Sequence, residues 1–226
     1  FSMLGFISHE FKSPLAALIS RGEAYSGGYL GAVDKTAADT IGSMNRAAQY
    51  LLSMVNDYLD LARLEGGELR FQPRDGVRLR EEALGPALEL VTPHAERRGS
   101  RIAVDWPAED LRLRADPDLL RIVFTNLVDN AVKYGSDDIE VRVTGRLDHG
   151  QAVISVRNPG LGFTEEQGRK LFRRFSRLRQ KGLEDRRGSG LGLYIAFWIA
   201  EKHGGRLTAA SAPGEWAEFT LRLPVA

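Results

Sequence analysis

The sequence has 226 residues, 43% of them hydrophobic and 27% charged, with a formal net charge of +1 and no cysteine. That length suits a small helical module followed by a domain of ordinary size, and near-neutral charge gives no general reason to expect nucleic acid or a membrane surface as partner. Absence of cysteine excludes a disulfide framework and any thiolate metal site, in keeping with a reducing compartment, and no apolar run approaches the roughly 20 residues that span a bilayer.

From Phe1 to about Arg21, Leu4, Ile7, Phe11, Leu15 and Leu18 recur at spacings of three and four, the stripe of an amphipathic helix. Ser26-Gly27-Gly28 breaks it, and after Asp34 a second stripe runs through Ile41, Met44, Ala48, Leu51, Val55, Leu59 and Ala62 to Gly66-Gly67. Two helices cover little of each other's apolar surface, so this hairpin is expected to pair with a second copy as a four-helix bundle. Gly66 to Gly76, with Pro73, reads as a linker.

The remainder mixes elements. Helix is expected over Leu79 to Arg98 despite Pro86 and Pro93, strand over Arg101 to Trp106, and a strong helix over Asp118 to Tyr134. Strands follow at Ile139 to Leu147 and Ala152 to Val156, a short helix at Glu165 to Phe175, and a helix at Leu191 to His203. Arg206 to Ala210 and Ala217 to Leu223 close the chain as strands. This order predicts an α+β protein, a helical hairpin followed by an α/β sandwich with helices on one face of a sheet.

With about 100° per residue, His9 points about 160° away from the first stripe, toward water, with Glu10 beside it and Ser13 one turn on. A phosphoryl acceptor needs an exposed imidazole with a proton acceptor nearby, and a histidine and a carboxylate so placed meet that need. On its own, an exposed helical histidine is ordinary. Phe6-Ile7-Ser8-His9-Glu10-Phe11-Lys12-Ser13-Pro14-Leu15 as a whole, however, resembles the H-box of bacterial sensor histidine kinases. The resemblance implies phosphorylation on His9, deprotonation helped by Glu10, a helix bend at Pro14, and at Ser13 the position that takes part in dephosphorylating the partner regulator, usually Thr or Asn in the family.

The helix carrying Asn126, Asn130 and Lys133 presents two neutral oxygen ligands and a cation on one side, which suits a hydrated magnesium ion bridging phosphates; such residues also cover ordinary solvated faces. Arg121, Asn126-Leu127, Asn130-Ala131 and Lys133-Tyr134 together resemble the N-box of the GHKL ATPases, which implies that Asn130 is the Mg2+ ligand. Gly160-Leu161-Gly162 and Gly188-Ser189-Gly190-Leu191-Gly192-Leu193 resemble that superfamily's two glycine boxes, and the second opens into an apolar helix whose amides are a natural phosphate cradle. Between them Leu171-Phe172-Arg173-Arg174-Phe175 resembles the F-box, and Ser176 to Arg187 occupies the place of the lid over ATP. The basic run there is interrupted by Glu184 and Asp185, against nucleic-acid binding.

One residue departs from the pattern. Where the first glycine box begins with Asp, whose carboxylate accepts from the adenine amino group, this sequence has Asn158. A neutral acceptor makes the weaker bond, and its amide group could donate to guanine O6, so weaker adenine binding and poorer discrimination against GTP are expected. His94, His149 and His203 show no metal spacing and are assigned surface or core roles, and Trp106, Trp198 and Trp216 packing roles.

The resemblance spans the whole chain and implies a dimerisation and phosphotransfer domain at 1–67, a linker at 68–76 and a catalytic ATP-binding domain at 77–226. The implied function is ATP-dependent autophosphorylation on His9 in a homodimer and transfer to an aspartate of a response-regulator receiver domain. Cytoplasmic residues are expected here, with any sensor or membrane segment upstream of Phe1. The rival readings are an ATP-binding module of another GHKL branch and a non-catalytic or phosphatase-dominant scaffold with a weakened nucleotide site.

Overall fold

Two long helices open the chain, α1 (Met3–Ser26) and α2 (Lys35–Glu65), and they pack along one another as a hairpin. The computed structural model describes residues 3–31, 34–66, 71–178 and 188–225, with backbone alone at 3–9, 64 and 65. At the end of α1 Ser26 Oγ donates to Gly22 O at 2.9 Å, and Gly28 and Gly31 then take positive φ angles that favour glycine. Asp34 starts α2 by accepting from Ala37 N–H at 2.9 Å, an N-cap. Gly22 is required for the close approach of the two helices, since a Cβ there would come within 2.8 Å of Asn45 Cγ.

Seven-residue spacing marks what the hairpin leaves uncovered. Phe11, Leu18 and Tyr25 on α1, and Met44, Leu51 and Tyr58 on α2, are each 39 to 64% exposed in the single chain. A strict heptad repeat of apolar side chains is the seam along which left-handed bundles associate.

A second compact unit is built from the elements that follow. β1 (Arg74–Arg78) leads into a single π-helical turn, Arg80–Leu84, and α3 (Gly85–Arg97). Pro86 has no amide to donate, and just before it the wide turn closes with Gly85 N–H bonding Arg80 O. Next come β2 (Arg101–Asp105), β3 (Arg112–Ala115), α4 (Pro117–Tyr134), β4 (Glu140–Asp148), β5 (Gln151–Pro159), the one-turn α5 (Glu165–Gly168), α6 (Gly192–Lys202), β6 (Arg206–Ala212) and β7 (Trp216–Pro224). Five strands form one sheet in the order β2-β4-β5-β7-β6, antiparallel except for the β2–β4 pair. Registers Val143↔Val156, Ile154↔Leu221 and Leu207↔Leu221 line up one buried apolar face, against which α3, α4 and α6 pack; Arg142, Arg157 and Arg222 alternate onto the other face. The β4–β5 turn, His149-Gly150, has two consecutive positive φ angles, the geometry of a tight hairpin, and leaves His149 at the surface.

Three expectations are corrected. Arg74 to Gly76 belong to β1, not to a linker, and β1 pairs with β3, a strand too short and too arginine-rich to stand out, through Val77↔Leu113 and Arg74↔Ala115. The helix expected over Glu165 to Phe175 stops at Gly168. There a Thr164/Gln167 capping box starts a single turn, and non-helical turns carry the chain to Phe175.

His203 ties the entry of this unit to its two main helices. Its Nδ1–H donates to Ile199 O at 2.8 Å, Nε2 accepts from Asp116 N–H at 3.1 Å, and the Phe71 ring meets it edge-on with centroids 4.8 Å apart. Asp116 in turn accepts from Asp118 and Leu119 N–H as the N-cap of α4 and from Gln72 N–H. Burial pushes the His203 imidazole below the ordinary histidine value of 6.5, only partly offset by the Ile199 bond and nearby Asp116. The folded state therefore binds fewer protons here than the unfolded chain, and its contribution, complete above about pH 6.5, is lost as pH falls through and below that value. Urea midpoints of the chain are expected to fall between about pH 7.5 and about pH 5.5, and His203→Gln to flatten that slope. Identical slopes in parent and variant would show that His203 is not the group responsible.

Candidate functional site

The site is assembled along α4, whose middle meets the start of α6 at Gly192 and whose end meets the end of β5 at Gly160. The helix α4 buries Leu120, Val123, Phe124, Leu127, Val128 and Ala131, which leaves Asn126, Asn130, Lys133 and Tyr134 half-buried at its margin. The two asparagines differ in state. Asn126 Nδ2 donates to Ile122 O at 3.0 Å, and its Oδ1 lies against the Cα of Gly192, where a Cβ would collide with it. Asn130 makes no side-chain hydrogen bond among the described residues, so its amide oxygen remains available as a ligand. The ammonium of Lys133 lies 5.5 Å from the Tyr134 ring centroid.

Asn158 sits at the end of β5, 3% exposed and paired in register with Ala217. Its Nδ2 donates to Pro159 O at 3.1 Å, leaving Oδ1 as an acceptor without a partner among the described residues. Turning the amide over would set its oxygen against the Pro159 carbonyl, so the network fixes which atom is presented. Gly160 bridges to Gly135, and Ser136 N–H donates to Pro159 O at 3.3 Å. A Cβ on Gly160 would come within 3.1 Å of Tyr134 O, so glycine there lets the helix end touch the strand end.

Gly162 answers a different need. It has φ +59°, and an added Cβ would meet Ala212 O at 2.7 Å and Trp216 O at 2.9 Å. Ser211 Oγ donates to Trp216 O and accepts from Phe163 N–H at 2.6 and 2.9 Å. The second glycine of this box is thus seated on the β6–β7 hairpin, and packing explains its identity.

Gly188, Ser189, Gly190 and Leu191 immediately precede α6 in the chain. Gly190 has φ +76°, Leu191 is fully buried, and Leu191 N–H bonds Ser189 Oγ at 3.1 Å. With Gly192 they lead into an 11-residue helix whose N-terminal amides carry the positive end of its dipole. Phe172 stacks on Phe197 of α6 at 5.6 Å, and Arg174 lies over the Tyr194 ring at 4.9 Å with Nη2 donating to Tyr194 Oη at 2.9 Å. Phe175 is half-exposed at φ +57°, a conformation that costs an aromatic residue free energy. Most of the lid expected over Ser176 to Arg187, residues 179–187, lies outside the described residues.

His9 falls within α1, while its side chain lies outside the described residues, as do those of Leu4 and Ile7. Glu10 and Ser13 are exposed on the same helix, and Pro14 is inside it. Sequence reasoning missed two contacts near the site. His94 Nδ1 meets Asp129 Oδ1 at 2.7 Å, joining α3 to α4, and Arg98 bonds the carbonyls at the C-terminus of α4. No spacing links positions 94 and 129, so only the packing of α3 on α4 could reveal that pair.

Residues 2–67 match the family model of the His Kinase A (phospho-acceptor) domain, and residues 115–226 that of the histidine kinase-, DNA gyrase B-, and HSP90-like ATPase. Histidine protein kinase DivJ of Caulobacter vibrioides is 30% identical over 98% of this chain and 37% of its own length. Signal transduction histidine-protein kinase AfsQ2 of Streptomyces coelicolor is 34% identical over 96% of this chain and 40% of its own. The crystal structure of full-length ShkA in complex with AMPPNP superposes with a TM-score of 0.71 at 27% identity, over 99% of this chain and 45% of that one. The chain spans about two fifths of the length of these curated relatives. No helix among the described residues is long and apolar enough to cross a membrane.

Proposed function

We propose that this chain, which belongs to the sensor histidine kinase family, phosphorylates His9 from ATP and passes the phosphoryl group to an aspartate of a response-regulator receiver domain. The observation that carries the nucleotide half is two acceptors that bond none of the described residues: Asn130 on the margin of α4, and the Oδ1 of the buried Asn158. The helical half rests on the H-box within α1 and on neighbours Glu10 and Ser13, both exposed.

In this reading Asn158 Oδ1 accepts from the adenine amino group, the amides leading into α6 at Gly188 to Gly192 hold phosphate oxygens, and Lys133 adds positive charge beside them. Tyr134, Gly160, Gly162, Phe172 and Phe175 shape the walls. Asn130 would hold Mg2+, which when bound neutralises charge on the phosphates; a neutral amide oxygen of this kind suits that hard cation. The His9 nitrogen attacks the γ-phosphorus, an N–P bond forms as the P–O bond to ADP breaks, and the imidazole proton goes to Glu10. Catalysis is then mainly positioning, and the phosphoramidate has a good leaving group for transfer to a carboxylate. Ser13 stands where a hydroxyl could act in dephosphorylating the regulator. The heptad stripes through Phe11 and Met44 support a homodimer of hairpins.

Incubation with labelled ATP and magnesium tests the reading: an acid-labile, alkali-stable label is expected. A folded, dimeric chain that takes up none would favour a scaffold or phosphatase.

The fixed Asn158 amide changes the expectation on GTP. With Nδ2 turned to Pro159 O, the atom offered to the base is an acceptor, which suits the adenine amino group and repels guanine O6. The ratio of ATP to GTP affinity is expected to agree with that of Asn158→Asp within about threefold, with ATP itself bound more weakly than by the variant because the acceptor is uncharged. A parent that binds GTP as well as ATP would show that the amide turns.

A further inference from the structure

We propose that Arg98 is a positioning residue for the nucleotide, holding the C-terminal turn of α4 in the place that sets both Asn130 and the first glycine box. The inference rests on the reading of α4 and β5 as the ATP site.

A helix ends with four carbonyls that lack intrahelical donors, and the usual remedy is a left-handed residue just past the end that folds the next amides back onto them. That remedy is absent here. Gly135 is extended, with φ −68° and ψ 165°, and its N–H satisfies Ala131 O alone. The guanidinium of Arg98 supplies donors to the next two carbonyls. Nη1 bonds Val132 O at 2.7 Å and Lys133 O at 2.9 Å, and Nη2 reaches Gly135 O at 3.5 Å. Nε bonds Asp137 Oδ1 at 3.1 Å, and Nη2 forms an ion pair with the same carboxylate. The side chain is 13% exposed, so these bonds compete little with water, and a cation at this end also opposes the negative pole of the helix.

What Arg98 holds is functional rather than peripheral. Lys133 and Gly135, whose carbonyls it binds, flank Tyr134, whose own carbonyl abuts Gly160. Gly135 bridges to Gly160, Ser136 N–H bonds Pro159 O, and Pro159 O fixes the Asn158 amide. An unbroken series of contacts therefore runs from the guanidinium through the helix end to the atom offered to the base. Asn130 lies one turn before that end. A lysine could supply the charge but not the planar fork that binds two carbonyls and a carboxylate together.

The test compares Arg98→Ala and Arg98→Lys with Arg101→Ala, which removes an equal charge from an exposed ion pair with Glu140 on the neighbouring strand. Affinity for a fluorescent ATP analogue with magnesium, the KM for ATP, the rate at saturating ATP and the thermal midpoint are measured on the full chain. Arg98→Ala is expected to weaken nucleotide binding about tenfold and raise KM in proportion, with the rate at saturating ATP within about twofold; Arg98→Lys recovers part of the loss, and Arg101→Ala changes nothing. Should Arg98→Ala not fold, Arg98→Lys alone decides, with KM raised above the parent's as the supporting result. Nucleotide affinity equal to the parent's in a folded Arg98 variant would overturn the inference while leaving the ATP reading intact. A parent that binds no nucleotide would remove both.

Discussion

His9→Ala is expected to abolish the acid-labile label acquired from ATP, a fall of about a thousandfold or more, because no other group can replace the attacking nitrogen. Nucleotide affinity should stay within about twofold of the parent's, since His9 lies in the helical unit whereas Asn130 and Asn158 lie in the other. Glu10→Gln should slow labelling by about a hundredfold or more, the usual worth of a positioned base. If label persists undiminished in His9→Ala, the H-box assignment fails and the acceptor is another residue. Mapping the labelled peptide then identifies it. Ser13→Ala should leave labelling unchanged and alter only the rate at which a phosphorylated regulator loses its phosphoryl group.

Asn130→Ala is expected to lower the labelling rate by about a hundredfold or more, exceeding the tenfold to hundredfold typical of residues one shell further from a metal. The cause is specific. Among the described residues the Asn130 amide has no structural bond to lose, so truncation should barely alter stability, whereas the magnesium needed for half-maximal nucleotide binding should rise. Asn130→Asp retains an oxygen ligand and should recover part of the activity. Asn126→Ala makes the contrast, because that side chain bonds Ile122 O and packs on Gly192, so its loss should register in the thermal midpoint as well as in binding. If magnesium dependence were unchanged in Asn130→Ala, the ion would have to be held elsewhere.

Most of the fold was legible because its signals are local. The three-four stripes marked α1 and α2, a strong helical pattern marked α4, and short apolar runs marked β4, β5 and β7 as strands. The failures were short or dependent on partners. β1 and β3 carry arginine at exposed positions and are strands only because each completes the other's ladder, and a four-residue α5 is fixed by one capping box.

The same division holds at the site. Spacing put Asn126 and Asn130 on one side of a helix, but sequence gives both the same chemistry; only the seat of Asn126 against Gly192 separates a packing amide from an uncommitted one. The motif pointed to Asn158 and left open which amide atom it offers. The Pro159 carbonyl decides that, because the strand end and the α4 end converge there. Gly160 and Gly162 look alike in the sequence, yet one admits a helix end and the other seats on a distant hairpin.

By itself, then, the sequence determined the types of the longer elements, the family motifs and the candidate nucleophile, since helix and strand periods and motif order are properties of neighbouring residues. Tertiary structure alone decided the partners of Arg98, His94 and His203, contacts made across 34 to 87 positions of chain. Such contacts depend on where separate elements pack, and no local pattern records which carbonyl or carboxylate a side chain will meet.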